Sequence, residues 1–327
     1  MTEDGLAPFA ATDDGIAVLR RDRNVWEVVR RDLRGTEVTA VSVAGSHVLA
    51  GTTAGVWRSE NLGETWRSVN EGLEVEHVRW LAHHPAYPSF AFVGTEPAAL
   101  FRSEDGGLSW TGRPEVVRLR DEKGWYLPYS PEAGCIRGFA FHGERGYAAV
   151  EQGGLLWSDN RGRNWRPAEG SIPNPNADRV EGYIHPDVHS VNVHPSSADL
   201  VVAPTGGGLY RSDDGGRVFQ RLYRCYCRAV WLDPGNADHM IFGPADGVSR
   251  NGRIEETLDG GASWRPASAG LETPWAQYMV ERFVSDGERL LAVLSNGELL
   301  TTSLKVIDWQ QILPDLPHVN AIVVASG

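Results

Sequence analysis

Three residues that can bind a metal or move a proton alternate in one short segment, as His185, Asp187 and His189. Alternate residues of an extended chain point to the same side, so the three side chains can converge. Two imidazoles and a carboxylate suit a divalent transition metal such as zinc, iron or manganese. Without a metal, we expect His189 to act as an acid or base with Asp187 orienting it. A structural role for all three is the alternative, since their spacing matches no standard zinc motif.

The three cysteines of the chain fall near the same level as this segment when the short alternating segments of the sequence are aligned. Their odd number in a chain of this length argues against a disulfide-stabilised scaffold. A metal site here is therefore predicted to contain His185, Asp187, His189 and Cys227. A reactive thiol and a small buried apolar side chain are the other interpretations of these cysteines.

The same alignment places three arginines in register with His189. The aligned residues are Thr39, Arg79, Arg137, His189, Arg228, Val280 and Asn320. Arginines that lie close together repel one another unless an anion joins them, and the planar guanidinium fits a carboxylate or a phosphate. We therefore predict that Arg79, Arg137 and Arg228 bind an anionic ligand. Internal ion pairs with Glu96, Asp187 or Glu281 are the alternative.

The elements that position these residues come from a repeat. A short motif of the pattern Ser-x-Asp-x-Gly-x-Thr-Trp, called a box below, occurs five times, and a degenerate copy lies on each side of the series. The aromatic residues that end the seven copies are Trp26, Trp66, Trp110, Trp165, Phe219, Trp264 and Trp309. Their spacings are 40, 44, 55, 54, 45 and 45 residues. Each unit also contains about four short alternating segments, which is the period of a propeller blade.

The sequence thus predicts an all-β fold, a seven-bladed β-propeller with four antiparallel strands per blade in a single domain spanning residues 1–327. The first unit lacks an innermost strand, and we expect residues Val319–Ala325 to supply it and close the ring. The two long spacings indicate insertions at about 119–134 and 169–186, each directly before an innermost strand. Long loops in a compact domain are often functional. The aromatic residues predicted to contact a ligand are Trp125, Tyr126, Tyr183 and Tyr278.

The boxes resemble the Asp-box (BNR) repeat superfamily over nearly the whole chain. Sialidases, sortilin-type receptors, xyloglucanases and photosystem II assembly factors share this repeat. The resemblance implies a β-propeller in which the box is a structural turn, usually far from the active site. The Arg-Ile-Pro segment found near the start of sialidases does not occur in this sequence, which argues against sialidase activity.

Composition excludes some classes of partner. The chain has 31 Lys and Arg against 43 Asp and Glu, a net charge of −12, which argues against a nucleic-acid partner. The amino-terminal residues have neither the basic nor the apolar region of a signal peptide, and no apolar run approaches the ~18 residues of a membrane span. We therefore expect a cytoplasmic protein without a membrane partner.

For function, the sequence favours a hydrolase or lyase at the channel mouth, acting on a small carboxylated or sugar-like substrate. His189 and Asp187 are the first candidates for acid–base chemistry, and Glu96 in the Gly-Thr-Glu-Pro loop is the next. The first alternative is a non-enzymatic scaffold that binds a protein partner. The second is an Asp-box glycoside hydrolase, which needs two carboxylates about 5–10 Å apart.

Overall fold

The computed structural model describes residues 7–23, 25–130, 133–171 and 180–325. Seven four-stranded antiparallel sheets form the seven blades. Blades one to three contain β1 (Pro8–Thr12), β2 (Gly15–Asp22), β3 (Val25–Asp32), β4 (Val38–Ala44), β5 (His47–Thr52), β6 (Gly55–Ser59), β7 (Arg67–Ser68), β8 (Val78–His84), β9 (Tyr87–Thr95), β10 (Leu100–Ser103) and β11 (Thr111–Gly112).

Blades four and five contain β12 (Cys135–His142), β13 (Arg145–Glu151), β14 (Gly154–Ser158), β15 (Arg166–Pro167), β16 (Asn192–Val193), β17 (Val201–Thr205), β18 (Gly208–Ser212) and β19 (Gln220–Tyr223). Blades six and seven contain β20 (Tyr226–Leu232), β21 (Met240–Ala245), β22 (Glu255–Thr257), β23 (Arg265–Pro266), β24 (Val280–Ser285), β25 (Arg289–Leu294), β26 (Leu299–Ser303) and β27 (Gln310–Ile312).

The carboxy-terminal strand closes the ring. Strand β28 (Val319–Val324) pairs antiparallel with β1 and becomes the innermost strand of blade one, in the order β28-β1-β2-β3. Closure in this way leaves each innermost strand facing the channel and removes an open sheet edge between the termini. The predicted seven-bladed fold and its closure by the last strand are confirmed.

The blades pack face to face through small residues on one side and branched or aromatic residues on the other. A Cβ on Gly51 of β5 would lie 2.4 Å from Val78 of the next blade, and one on Gly94 of β9 would lie 2.5 Å from Ile136. These glycines let the innermost strand of the next blade approach the second strand closely. The apolar core is therefore a ring of interblade layers that surrounds the channel.

The boxes form hairpin turns on one face of the ring. In blade two the Ser59 hydroxyl accepts the Gly63 amide at 2.7 Å, and the Asn61 side chain accepts the Thr65 amide at 2.9 Å. The amide of Leu62 donates to Ser46, in the turn after the innermost strand. The boxes therefore lie opposite the mouth at which the innermost strands begin, which we call the entry mouth.

A helix that the repeat pattern did not indicate, α1 (Pro114–Lys123), begins before the predicted insertion at about 119–134 and ends within it. Val116 on α1 is buried, and the Glu115 carboxylate accepts the Trp165 amide at 3.0 Å, so the helix is packed between blades three and four. Of the second insertion, residues 172–179 lie outside the described part of the chain. Within the described residues, no helix is long and apolar enough to cross a membrane.

Candidate functional site

A β-bulge near the start of the innermost strands directs side chains into the channel. The pairing with the second strand shifts at Thr39, Arg79, Arg137, Glu281 and Asn320, and in blade six between Cys227 and Val230. A bulge inserts an unpaired residue and re-aims its side chain. The sequence alignment had located most of this ring. It was wrong by one residue in blade seven, where Val280 is fully buried in the core and Glu281 is the bulged residue.

Several of these side chains link one blade to the next. Thr39 donates to the carbonyl of Val78 at 2.6 Å, and Asn320 donates to the carbonyl of Val38 at 3.1 Å. His189 makes the same link in blade five, with Nδ1 lying 2.8 Å from the carbonyl of Cys227. Because a carbonyl only accepts, Nδ1 is the donor in this contact.

Two of the predicted anion-binding arginines are paired internally. Arg228 bonds one oxygen of Glu281, and Arg137 lies 3.5 Å from the other. Arg137 also bonds Glu151 at 3.1 Å. Although burial opposes it, the charges of Arg228 and Arg137 hold the pKa of Glu281 below its usual range. The alternative of internal pairing therefore describes these two arginines, with Glu151 as a partner that the sequence reasoning missed.

The third arginine repeats the pattern in blade three. Arg79 lies 3.5 Å from Glu96, which is buried. Glu96 and Glu151 occupy equivalent positions where the second strand of their blades ends, each opposite the residue two positions before the bulged arginine. A Glu at this position in two consecutive blades, each with an Arg at the bulge, is the sequence signal that would have identified Glu151.

The acid–base candidates form a cluster behind this ring. His189 Nε2 lies 3.2 Å from the Asp187 carboxylate and 3.3 Å from the Tyr226 hydroxyl. Glu151, Asp187 and His189 bring their ligand atoms within 4.8 Å of one another, a set that a divalent metal can use. Arg137 already donates a hydrogen bond to Glu151, so a metal ion bound here would compete with the guanidinium for that carboxylate.

Two residues of the predicted metal set lie apart from this cluster. The His185 ring accepts the Asp187 amide at 3.1 Å through Nδ1 and packs on Gly207. Cys227 is buried, and its thiol lies 3.9 Å from the carbonyl of Thr205. Burial raises the pKa of Cys227, which keeps the thiol protonated and a poor metal ligand. A different cysteine, Cys135, approaches the cluster, with its thiol 3.3 Å from Glu151.

A cavity of about 410 Å³ opens at the entry mouth. It is lined by the residues of the bulge ring together with residues from the loops above them. The ionisable members are Glu37, Arg79, Arg137, Arg228, Glu281, Arg282 and His318. A second cavity of about 260 Å³ continues through the channel below it. Arg282 lines both cavities and was not identified from the sequence.

The predicted aromatic contacts are dispersed. Trp125 is buried in the core against Val150 and Gly153, while Tyr126 is 60 % exposed. Tyr183 lies beside Val218 and Phe219 in a separate groove on blade five, and Tyr278 stacks on Trp275 with ring centroids 5.3 Å apart. None of these four lines the entry cavity, although Tyr129 of the first insertion does.

Comparison with known proteins supports the fold. No family model and no curated protein matches the chain. Among solved structures, it is similar to an ancestral GH74 enzyme (18% identity, TM-score 0.61, 93% of this chain and 40% of that one). It is also similar to the GH74 xyloglucanase from Xanthomonas campestris (17% identity, TM-score 0.65, 86% of this chain and 46% of that one). The chain thus spans less than half the length of these two enzymes.

A smaller protein matches over nearly its whole length. The structure of YCF48 bound to D1 peptide is 13% identical, with a TM-score of 0.61 over 92% of this chain and 90% of that one. YCF48 from Cyanidioschyzon merolae is 14% identical, with a TM-score of 0.61 over 93% of this chain and 98% of that one. At these identities the likeness establishes a shared seven-bladed propeller fold.

Proposed function

We propose that this propeller is a binding protein whose entry mouth receives an anionic ligand. The observation that carries the proposal is the convergence of Arg79, Arg137, Arg228 and Arg282, from four different blades, on one cavity of about 410 Å³. That volume lies in the range of pockets that enclose small ligands or the end of a peptide. The arginines give the mouth a local charge that the net charge of −12 conceals.

Binding is favoured over catalysis because the acid–base candidates do not line the cavity. His189 is 2 % exposed and Glu96 is 6 % exposed, and both are held by internal partners. A general acid or base must come within hydrogen-bond reach of the reacting atoms. In the described residues, the polar groups that line this cavity are mainly arginines and hydroxyls, together with Glu37, Glu281 and His318, and Glu281 is already paired with Arg228.

An acidic segment of a protein partner is one source of such a ligand. The YCF48 structure in the comparison contains a bound peptide, and that protein matches this chain over most of its length. Tyr129 and Val248 are exposed at the rim of the cavity, where they offer apolar contacts beside the arginines. Exposed aromatic and apolar side chains next to arginine are typical of protein-binding surfaces.

Calorimetric titration with small carboxylates, phosphates and acidic peptides tests the proposal. We expect at least one class to bind and Arg79→Gln to weaken it, because Arg79 is partly exposed and its contact with Glu96 is loose. Lys305→Gln, which removes a positive charge from an exposed residue on the opposite face, is the control. Failure of every anion to bind the wild-type protein would refute the proposal.

A glycoside hydrolase is the second candidate. It is favoured by the proximity of the Glu151 and Asp187 carboxylates and by the GH74 enzymes among the similar structures. Incubation with xyloglucan and other β-glucans, followed by reducing-sugar analysis, tests it directly. Release of sugar by the wild-type protein that Asp187→Asn abolishes would establish the enzyme, and no release above a heat-denatured control would exclude these substrates.

A further inference from the structure

The side chain of Arg282 extends from blade seven to contact Trp80 in blade three. It follows the bulged residue Glu281 on β24 of blade seven, and its guanidinium carbon lies 3.8 Å from the ring centroid of Trp80 in blade three. A guanidinium over an aromatic face is attracted to the ring and keeps its N–H donors available for another partner. Arg282 lines both the entry cavity and the 260 Å³ cavity, as do Arg228 and Glu281.

The charge of Arg282 is not matched by a carboxylate. Glu281 beside it uses one oxygen for Arg228 and the other for Arg137. Glu96 is paired with Arg79. Within the described residues, the Arg282 side chain makes no ion pair and no hydrogen bond, and its guanidinium lies over the ring of Trp80.

This arrangement is unfavourable for the protein alone. Burial and the positive charges of Arg137 and Arg79 lower the pKa of Arg282, and the negative charge of Glu281 offsets this only in part, so its surroundings oppose its positive charge. A cation that lacks its counterion inside a channel otherwise balanced by glutamates indicates a counterion that comes from outside.

We propose that Arg282, whose guanidinium lies over the ring of Trp80, binds a carboxylate of the ligand. This inference rests on the proposed function and specifies the ligand of the same site. A guanidinium edge accommodates the two oxygens of one carboxylate, and a single unmatched positive charge calls for a single negative charge. A phosphate dianion would bring a second charge into a cavity already lined by Glu37 and Glu281.

The body of the ligand is organic. The apolar part of the wall consists of Val248, Leu294 and Val319, with Tyr129 at the rim, and the volume greatly exceeds that of a simple anion. A small organic acid and the carboxy terminus of a peptide share this chemistry. The site is therefore predicted to take an organic monocarboxylate from either source.

Paired probes test the assignment. Calorimetry or tryptophan fluorescence measures binding of 3-phenylpropionate against its amide, of an N-acetylated peptide ending in a free carboxylate against the same peptide amidated, and of inorganic phosphate. We expect the acids to bind about tenfold or more tightly than the amides, because the amides lose a charge-assisted bidentate contact. We expect Arg282→Gln to remove this preference, while Lys305→Gln leaves it unchanged. The pair with the higher affinity distinguishes a free acid from a peptide terminus.

Three results would overturn the assignment. These are equal affinity for an acid and its amide, tighter binding of phosphate than of both acids, and an unchanged preference in Arg282→Gln. If acidic ligands still bind at the arginines in that last case, the proposed function stands and the role of Arg282 is refuted. Because Arg282 is unmatched, we expect Arg282→Gln to unfold at the same or a higher temperature than wild type, and a large decrease would instead indicate a structural role.

Discussion

Replacement of Glu281 by Gln tests the internal balance of the channel. Glu281 bonds Arg228 with one oxygen and lies 3.5 Å from Arg137 with the other, and all three side chains are about 85 % buried. Removal of one member of a buried ion pair leaves an uncompensated charge, which destabilises a protein by about 3–5 kcal/mol. Arg137 retains Glu151 in the variant, whereas Arg228 retains the Tyr226 hydroxyl at 3.0 Å and no carboxylate.

That loss of stability has a measurable size. An unfolding entropy of about 2.1 cal/mol/K per residue gives roughly 0.7 kcal/mol/K for 327 residues. A loss of about 3–5 kcal/mol therefore lowers the unfolding temperature by about 4–7 °C. Differential scanning calorimetry measures this shift. The matched control is Glu27→Gln, since Glu27 pairs with Arg20 on the surface and such pairs contribute at most about 1 kcal/mol.

The same variant makes a second, opposite prediction for binding. In Glu281→Gln the carboxylate no longer neutralises Arg228 and Arg137. The affinity of the channel for an anion should therefore rise while the free energy of unfolding falls. A variant as stable as Glu27→Gln, or one that binds anions more weakly than wild type, would contradict the reasoning. Either result would mean that the channel arginines are solvated and that Glu281 does not neutralise them.

Three further predictions follow from individual groups. Although burial opposes it, the charge of Arg137 lowers the pKa of Glu151 from 4.5 to about 2. Ionised Glu151 therefore stabilises the fold above pH 4.5, and this contribution is lost as the pH falls toward 2. In urea unfolding, Glu151→Gln should be less stable than wild type by on the order of 3 kcal/mol at pH 7, and this difference should fall by more than half at pH 3. Glu37→Gln removes a like charge from the rim and should tighten anion binding in calorimetry, and an unchanged affinity at low salt would place the ligand elsewhere. Asp105→Ala removes the acceptor for the Leu108 and Ser109 amides in one box. It should lower the free energy of unfolding by about 1–2 kcal/mol, measured by thermal unfolding, without changing ligand binding. A loss of binding would refute the assignment of the boxes to the face opposite the entry mouth.

The fold was predictable because the repeat encodes local geometry. Each box supplies a hydroxyl and a carboxylate or amide that satisfy backbone amides of one hairpin, as Ser103 and Asp105 do in blade three. Such contacts are local in sequence and recur with the period of the blade. The closure by Val319–Val324 was also predictable, since the first unit lacked a strand and the last segment had the required alternation.

The site was only partly predictable because bulges and ion pairs depend on contacts between blades. A bulge adds one residue to a strand, so an alternation pattern cannot distinguish Val280 from Glu281 as the residue that faces the channel. The choice between a free and a paired arginine depends on the second strands, and sequence alone does not tell how Glu151 approaches Arg137. The alternation pattern predicted that Arg79, Arg137 and Arg228 lie at one mouth of the channel. It did not predict which glutamate pairs with each arginine.

The distribution of partners, more than the number of arginines, argues for a ligand. Arg79, Arg137 and Arg228 each have a glutamate within the channel, so their charges stabilise the ring of blades even when the mouth is empty. In the described part of the chain, Arg282 has no glutamate within ion-pair distance and instead lies over the face of Trp80. A residue that serves only the fold is expected at a position where it lowers the free energy of the folded chain. Arg282 departs from that expectation, and a carboxylate from a bound molecule is the group that would restore it.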